Sequence, residues 1–134
     1  MGWLIAAVKG GKNANIIFDD CDFESALSTT VRSSFSNQGE ICLCGSRIFV
    51  QQSIYERFLA GLVERANTLT VGDPTDANTQ LGALVSKEHM DKVLYYIQLA
   101  REEGGTIHCG GERQTVSIYG CSNGWFVPPT VITG

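Results

Sequence analysis

Short β-prone runs alternate with stretches of helical periodicity along this chain, and that order restricts the folds open to it. Residues 13–18 (NANIIF) and 46–51 (SRIFVQ) are rich in strand-forming side chains, and each run precedes a segment with apolar residues at helical spacing. Strands that alternate with amphipathic helices form βαβ units, whose strands run parallel. The sequence therefore predicts an α/β fold with a mostly parallel sheet and flanking helices.

Three helices are predicted from apolar stripes and from the residues that begin and end them. Asp22 precedes the first stripe as an N-cap candidate, and residues 53–69 carry the strongest stripe of the chain. The third helix is expected to begin after Ser86 and to end at Gly104. These signals place the helices between the runs that are expected to form strands.

The segments around the third helix contain several turn-forming residues. Residues 71–82 combine Gly, Pro, Asp and Asn and predict a loop. Short strands are expected within 106–111 and within 125–132, the second interrupted by a Pro-Pro pair. The segment 110–124 between them, which contains Gly and Ser, predicts a mobile surface loop.

The composition is that of a single globular domain and excludes several kinds of partner. The chain has 134 residues, of which 43% are hydrophobic and 18% are charged. The formal charge is −4 and no cluster of Lys or Arg occurs, so neither a nucleic acid nor an anionic membrane is an expected partner. The apolar opening MGWLIAAV is too short to span a membrane. The expected location is the cytoplasm.

The cysteines raise the question of function. Their number is five, and no C-x-x-C pair occurs, which argues against a disulfide framework and against a zinc site. Two of them, Cys42 and Cys44, lie in the glycine-flanked segment NQGEICLCGSR. Backbone N–H groups in such a turn can activate a thiolate or bind an oxyanion, whereas a free Cys is just as often a small buried apolar residue. The spacing alone leaves both readings open.

The segment around these cysteines resembles a known catalytic signature. Residues 35–46 (FSNQGEICLCGS) are similar to the active-site cysteine motif of the aldehyde dehydrogenase superfamily. Residues 10–20, 71–86 and 124–132 resemble further segments of that family, so the likeness runs from about Lys9 to the C-terminus. Within the family, the motif and the following SRIFVQQSIY look most like the 2-aminomuconic and hydroxymuconic semialdehyde dehydrogenases.

This resemblance implies a fold, a reaction and a nucleophile. It implies that 9–134 form part of an aldehyde dehydrogenase catalytic domain, after an atypical start at 1–8 and without the nucleotide-binding domain. Cys42 would be the nucleophile, and its backbone N–H would bind the oxyanion. The implied reaction is the oxidation of a small aldehyde or semialdehyde through a Cys42 thiohemiacetal and thioester, with NAD or NADP accepting the hydride.

The sequence also departs from the family pattern at several positions. Val8 aligns with the glutamate that serves the family as general base, and Glu40 more plausibly shapes the loop than replaces that base. A Gln and a Lys that lie near the NAD ribose in the family align with His89 and Lys92. Both residues are also expected to lie on a solvated helix surface. Both ends of the chain look cut, and the missing nucleotide domain implies that the chain alone does not bind NAD.

Three hypotheses about the chain follow from these observations. In the first, it is a catalytic-domain piece that is inactive or very weak alone. In the second, it is a truncated, non-catalytic homologue that acts as an interaction module and associates with itself or with a full-length homologue. In the third, the opening MGWLIAAV derives from another reading frame or exon.

Overall fold

The computed structural model describes residues 12–116 and 124–134, which contain four short strands and three α-helices. In chain order these are β1 (Ala14–Ile17), α1 (Phe23–Phe35), β2 (Arg47–Val50), α2 (Tyr55–Thr68), α3 (Lys87–Glu102), β3 (Thr106–Cys109) and β4 (Val131–Thr133). Two short 3₁₀ turns, at Ser36–Gly39 and Gln52–Ile54, follow α1 and precede α2. The α/β class predicted from the sequence is confirmed.

The strands form two pairs of opposite sense. β1 and β2 are parallel, from Ala14 opposite Arg47 to Ile17 opposite Val50, and α1 is the crossover between them. β3 and β4 are antiparallel, with an irregularity between Ile107 and Cys109. The predicted parallel pairing is therefore present at β1 and β2, while the Pro-Pro pair before β4 delays the start of that strand.

The helix ends follow the capping signals in the sequence. The Asp22 side chain accepts a hydrogen bond from the Ser25 N–H at 2.9 Å, and the Ser86 hydroxyl accepts one from the His89 N–H at 3.1 Å. Gly104 follows the last turn of α3 with φ of +93°, a left-handed conformation that glycine adopts without steric cost. These local signals explain why α1 and α3 begin and end where they do.

The main core lies between the β1–β2 sheet and the helix pair α1–α2. Phe58 and Leu62 of α2 are fully buried, and Leu27 of α1 and Ile48 of β2 are each 2% exposed. A second cluster packs α3 against β3 and β4, through Met90, Val93, Ile97 and Ile132 among others. The first cluster includes Phe35 at the end of α1, and the second includes Met90 near the start of α3. Cys42 and Cys44 lie in the segment that follows α1.

The described residues contain no helix that is long and apolar enough to cross a membrane. Several predicted features lie wholly or partly outside the described residues: the atypical start at 1–8 with Val8, the first two residues of the 10–20 segment, Cys121, and the 117–123 part of the predicted surface loop.

Truncation of the main core tests this packing. Phe58→Ala should lower the free energy of unfolding by about 3–5 kcal/mol, since the ring is fully buried. Phe58→Leu keeps most of the side-chain volume and should lower the free energy of unfolding by less than about 1.5 kcal/mol. Its stability can therefore be measured even if the alanine variant does not fold. The matched control is Phe18→Ala, because Phe18 is 61% exposed. Urea unfolding followed by circular dichroism measures the differences, and equal losses at Phe58 and Phe18 would contradict the described core.

Candidate active site

The cysteine loop, residues 36–45, leaves α1 through an unusual backbone turn. Asn37 and Gln38 have φ of +50° and +58°, and Gly39 has φ of +73°. Left-handed conformations at non-glycine residues cost of order 1–3 kcal/mol and persist only where surrounding contacts impose them. The Cys44 N–H then donates to the Ile41 carbonyl at 3.0 Å, which closes a turn with Cys42 at its centre.

Asn13, just before β1, anchors this turn from one side. Its Nδ2 donates to the Cys42 carbonyl at 2.7 Å and lies 3.3 Å from the Cys44 carbonyl. Both acceptors are backbone atoms on either side of Leu43, so the amide fixes the path of the chain through the turn. The sequence analysis missed Asn13, although a polar residue immediately before a strand was a visible signal.

The end of the loop is fixed to α1. The Gly45 N–H donates to the Ser33 carbonyl at 3.1 Å, and the buried Ser34 hydroxyl donates to the Gly45 carbonyl at 2.8 Å. A Cβ at Gly45 would come within 2.7 Å of the Ser33 hydroxyl, so the helix and the loop approach each other as closely as they do only with glycine here. The loop thus returns along the helix that it left.

The two neighbouring thiols have opposite environments. Cys44 is 3% exposed and packs under the loop, with its Sγ 3.9 Å from the Ser36 carbonyl. Cys42 is exposed, and among residues 12–116 and 124–134 its N–H has no hydrogen-bond acceptor. Cys44 is therefore a small buried apolar residue, which is one of the two possibilities that the spacing left open. Cys42 combines an accessible thiol with an available backbone donor, as a nucleophile with an oxyanion site requires.

Glu40 points from the loop toward α3 and meets His89. Glu40 Oε1 lies 3.4 Å from the Val85 N–H nitrogen and 3.1 Å from His89 Nε2. The His89 side chain is only 4% exposed, so the expectation of a solvated surface position was wrong. The reason is that the first turn of α3 packs against the cysteine loop, which the periodicity of α3 alone does not reveal.

Lys92 and His89 do not share one environment. Lys92 is exposed on α3, as the sequence predicted, whereas His89 is buried beside Glu40. The structure thus brings His89 to the loop that carries Cys42 and leaves Lys92 facing solvent. Whether either residue contacts a cofactor stays a prediction.

Two cavities on the described residues differ in size and in their distance from the cysteine loop. A cavity next to the loop, lined by Gln38, Gly39, Leu84 and Pro128 among others, has a volume of about 40 Å³. Binding pockets for ligands of drug size usually measure roughly 300–1,000 Å³. A wider open groove of about 520 Å³, lined by Phe23 and Arg57 among others, lies between α1 and α2 and includes no residue of the cysteine loop. No group of three metal-ligating side chains occurs in the described part of the chain.

Thiol alkylation tests the assignment of the two environments. Iodoacetamide should modify Cys42 at least about tenfold faster than Cys44 or Cys109, because reaction at a buried thiol requires local opening. Burial raises the pKa of the Cys109 thiol, so its reaction should still lag as the pH rises from 7 to 9. Peptide mapping by mass spectrometry gives the rates, and concentrated urea should remove the differences. Equal rates in native buffer would show that the loop is not held as described.

Comparison with known proteins agrees with the resemblance of the cysteine segment. A model of the aldehyde dehydrogenase family matches residues 5–134. The 2-aminomuconic semialdehyde dehydrogenase of Danio rerio is 52% identical over 126 residues, which are 93% of this chain and 26% of the relative. That of Homo sapiens is 50% identical over 125 residues, 92% of this chain and 26% of the relative. The chain therefore spans about a quarter of the length of these curated relatives.

Solved structures share the fold as well as the sequence. Betaine aldehyde dehydrogenase from Staphylococcus aureus, in complex with NAD+, superposes with a TM-score of 0.85 at 41% identity, covering 92% of this chain and 24% of that one. An aldehyde dehydrogenase from Bacillus cereus gives 0.84 at 39% identity, with the same coverage. With a family match over nearly the whole chain and a common fold, this chain belongs to the aldehyde dehydrogenase family.

Proposed function

We propose that residues 9–134 form the nucleophile-bearing part of an aldehyde dehydrogenase catalytic domain, preceded by an atypical segment at 1–8. Cys42 is the nucleophile, and its backbone N–H is the oxyanion donor. The observation that carries the proposal is the contrast within one turn: an exposed Cys42 whose N–H is available, beside a buried Cys44. A turn that exposes one thiol and buries the next gives a single sulfur access to a carbonyl carbon.

The chemistry of this part of the chain is covalent capture of a carbonyl group. The Cys42 thiolate adds to the aldehyde carbon, a C–S bond forms, and the carbonyl π electrons move to oxygen, where the Cys42 N–H stabilises the charge. In the complete enzyme NAD(P)+ supplies the acceptor for the hydride that leaves this carbon. The product is a Cys42 thioester, and water hydrolyses it to the carboxylic acid and the free thiol.

The chain alone is inactive or very weak in this proposal. The cavity beside the loop measures about 40 Å³, which supports a cofactor site that depends on residues beyond those described. Val8 stands at the position of the family's general base, and loss of such a base slows a step by roughly 10²–10⁴-fold. Lys92, exposed on α3, is the residue of this chain that we assign to the cofactor side of the complete enzyme.

The substrate class and the location are proposed from the relatives and from the cysteines. The relatives at 50–52% identity are named for 2-aminomuconic semialdehyde, so we propose a semialdehyde substrate. The four cysteines in the described ranges are all free thiols, which is typical of proteins in the reducing cytoplasm.

A second candidate function is a non-catalytic interaction module. The outer face of the β1–β2 sheet exposes Ile16 at 60% and Phe18 at 61%, and such apolar surface is typical of a site for another chain. The partner would be a second copy or a full-length homologue. A clean monomer by native mass spectrometry that does not bind the homologue would exclude this function.

An activated ester tests the nucleophile without a cofactor. The Cys42 thiolate should attack p-nitrophenyl acetate, release p-nitrophenolate and leave an acetyl thioester, the same kind of intermediate as in aldehyde oxidation. We expect a burst of about one equivalent of p-nitrophenolate per chain and then slow turnover, because the general base is absent. Absorbance records the burst, and peptide mapping locates the acetyl group.

Two matched variants and one cofactor assay complete that test. Cys42→Ser should abolish the burst, while Cys44→Ser should retain it, since the Cys44 thiol is buried. Acetylation at Cys44 instead of Cys42 would overturn the assignment. With aldehyde and NAD+ the chain should produce no more than trace NADH, and rapid NADH formation would show that the chain is a complete enzyme.

A further inference from the structure

The burial of His89 needs a physical explanation. Its side chain is 4% exposed, and within the described ranges neither ring nitrogen makes a hydrogen bond of good geometry. A buried polar group without a partner costs about 1–3 kcal/mol. Nε2 nevertheless lies 3.1 Å from Glu40 Oε1, within the distance of a charge-assisted contact. The Glu40 carboxylate is thus the partner that accounts for this position.

The direction of this contact follows from the chemistry of the two groups. An ionised carboxylate only accepts hydrogen bonds, so a hydrogen bond in this contact requires the hydrogen on His89 Nε2. The Glu40 side chain is 21% exposed, so water screens this contact less than it would a pair on the open surface. The pair joins the first turn of α3 to the residue two positions before Cys42.

Two further contacts join the same segments. Gln38 Nε2 donates to the Ala83 carbonyl at 3.2 Å, and the Val85 N–H lies 3.4 Å from Glu40 Oε1. Gln38 is one of the two left-handed non-glycine residues of the loop. The entry of the cysteine loop is therefore held by residues 83–89, while its exit is held by Asn13 and by Ser33 and Ser34 of α1.

Of the contacts at the entry of the loop, the one at His89 has the most deeply buried side chain. The hydrogen bond of Gln38 and that of Val85 both lie in exposed surroundings, where water competes with them. The imidazole ring is shielded, and its packing in the first turn of α3 limits the positions that Glu40 can take. The backbone between Glu40 and Cys42 consists of Ile41 alone, so a shift of Glu40 is transmitted directly to the thiol and to its N–H.

From these contacts we infer that His89 is a positioning residue, which holds Glu40 and thereby the backbone turn that orients the Cys42 thiol. His89 does not touch the reacting atoms in this inference. Its catalytic meaning rests on the proposed function, whereas its effect on the geometry of the loop does not. The role differs from contact with a nicotinamide ribose, because the ring faces Glu40 inside the protein.

The test compares the reactivity of Cys42 in variants of the pair. His89→Leu keeps a buried side chain but removes the N–H, and Glu40→Ala removes the acceptor. Each should slow acylation of Cys42 by p-nitrophenyl acetate about tenfold, since misplacement of reacting groups by about 1 Å can cost 10²-fold. The double variant should be no slower than the slower single one, because the two residues act through one contact. His89→Gln, which keeps an N–H donor, should restore most of the rate.

Controls separate positioning from a loss of stability. Gln98→Ala changes an exposed residue on the same helix and should leave the rate unchanged. Rates are measured well below each variant's thermal midpoint. If His89→Leu does not fold, the Cys42 acylation rates of Glu40→Ala and His89→Gln still test the inference. A lower midpoint with an unchanged Cys42 rate in all three variants would overturn the inference and make His89 a packing residue only.

The same series distinguishes this inference from the proposed function. If the parent chain shows no ester burst at Cys42, the proposed function fails, and the variants are then compared by their Cys42 alkylation rates with iodoacetamide. That reaction needs only the geometry and exposure of the thiol. Changed alkylation of Cys42 with unchanged alkylation of Cys21 supports the positioning role, and unchanged rates at both overturn it.

Discussion

The burial of α1 against the β1–β2 sheet and α2 is the constraint on which the candidate site depends. Phe35, the last residue of α1, is 6% exposed, so the chain must leave the helix while still in contact with the core. An extended exit would carry the following residues into solvent. The left-handed turn at Asn37, Gln38 and Gly39 instead returns the chain along α1, and Gly45 comes back to Ser33. Packing of one helix thereby fixes both ends of the loop that carries Cys42.

The backbone strain of this turn is offset by contacts that are distant in sequence. Two left-handed non-glycine residues cost of order 1–3 kcal/mol each, and a typical hydrogen bond returns about 0.5–1.5 kcal/mol. Asn13 reaches Cys42 across 29 positions, and Gln38 reaches Ala83 across 45. Several such bonds are needed to balance the strain, so the loop conformation depends on both halves of the fold. The exposure of Cys42 is for that reason a property of the folded chain rather than of its local sequence.

The sequence could predict features that depend on local signals, but not those that depend on contacts between distant segments. The caps at Asp22 and Ser86, the strand runs and the helix stripes are local signals, and they placed the three helices and the first three strands, while β4 begins only at Val131. The burial of His89 and the role of Asn13 depend on which segments meet in space, and no periodicity encodes that. The opposite environments of Cys42 and Cys44 depend on the direction of one turn, which spacing left undecided. The resemblance supplied the choice of Cys42, and the geometry gives a physical reason for it.

The proposed oxidation has two requirements, capture of a carbonyl carbon and transfer of a hydride. Capture of a carbonyl carbon needs an accessible thiol and a backbone donor, and both occur in one turn anchored by residues of this chain. Hydride transfer in the proposed reaction also needs a dinucleotide, and the cavity beside the loop measures about 40 Å³. In the proposed function, the residues assigned to carbonyl capture therefore lie within this chain, which spans about a quarter of the length of its relatives.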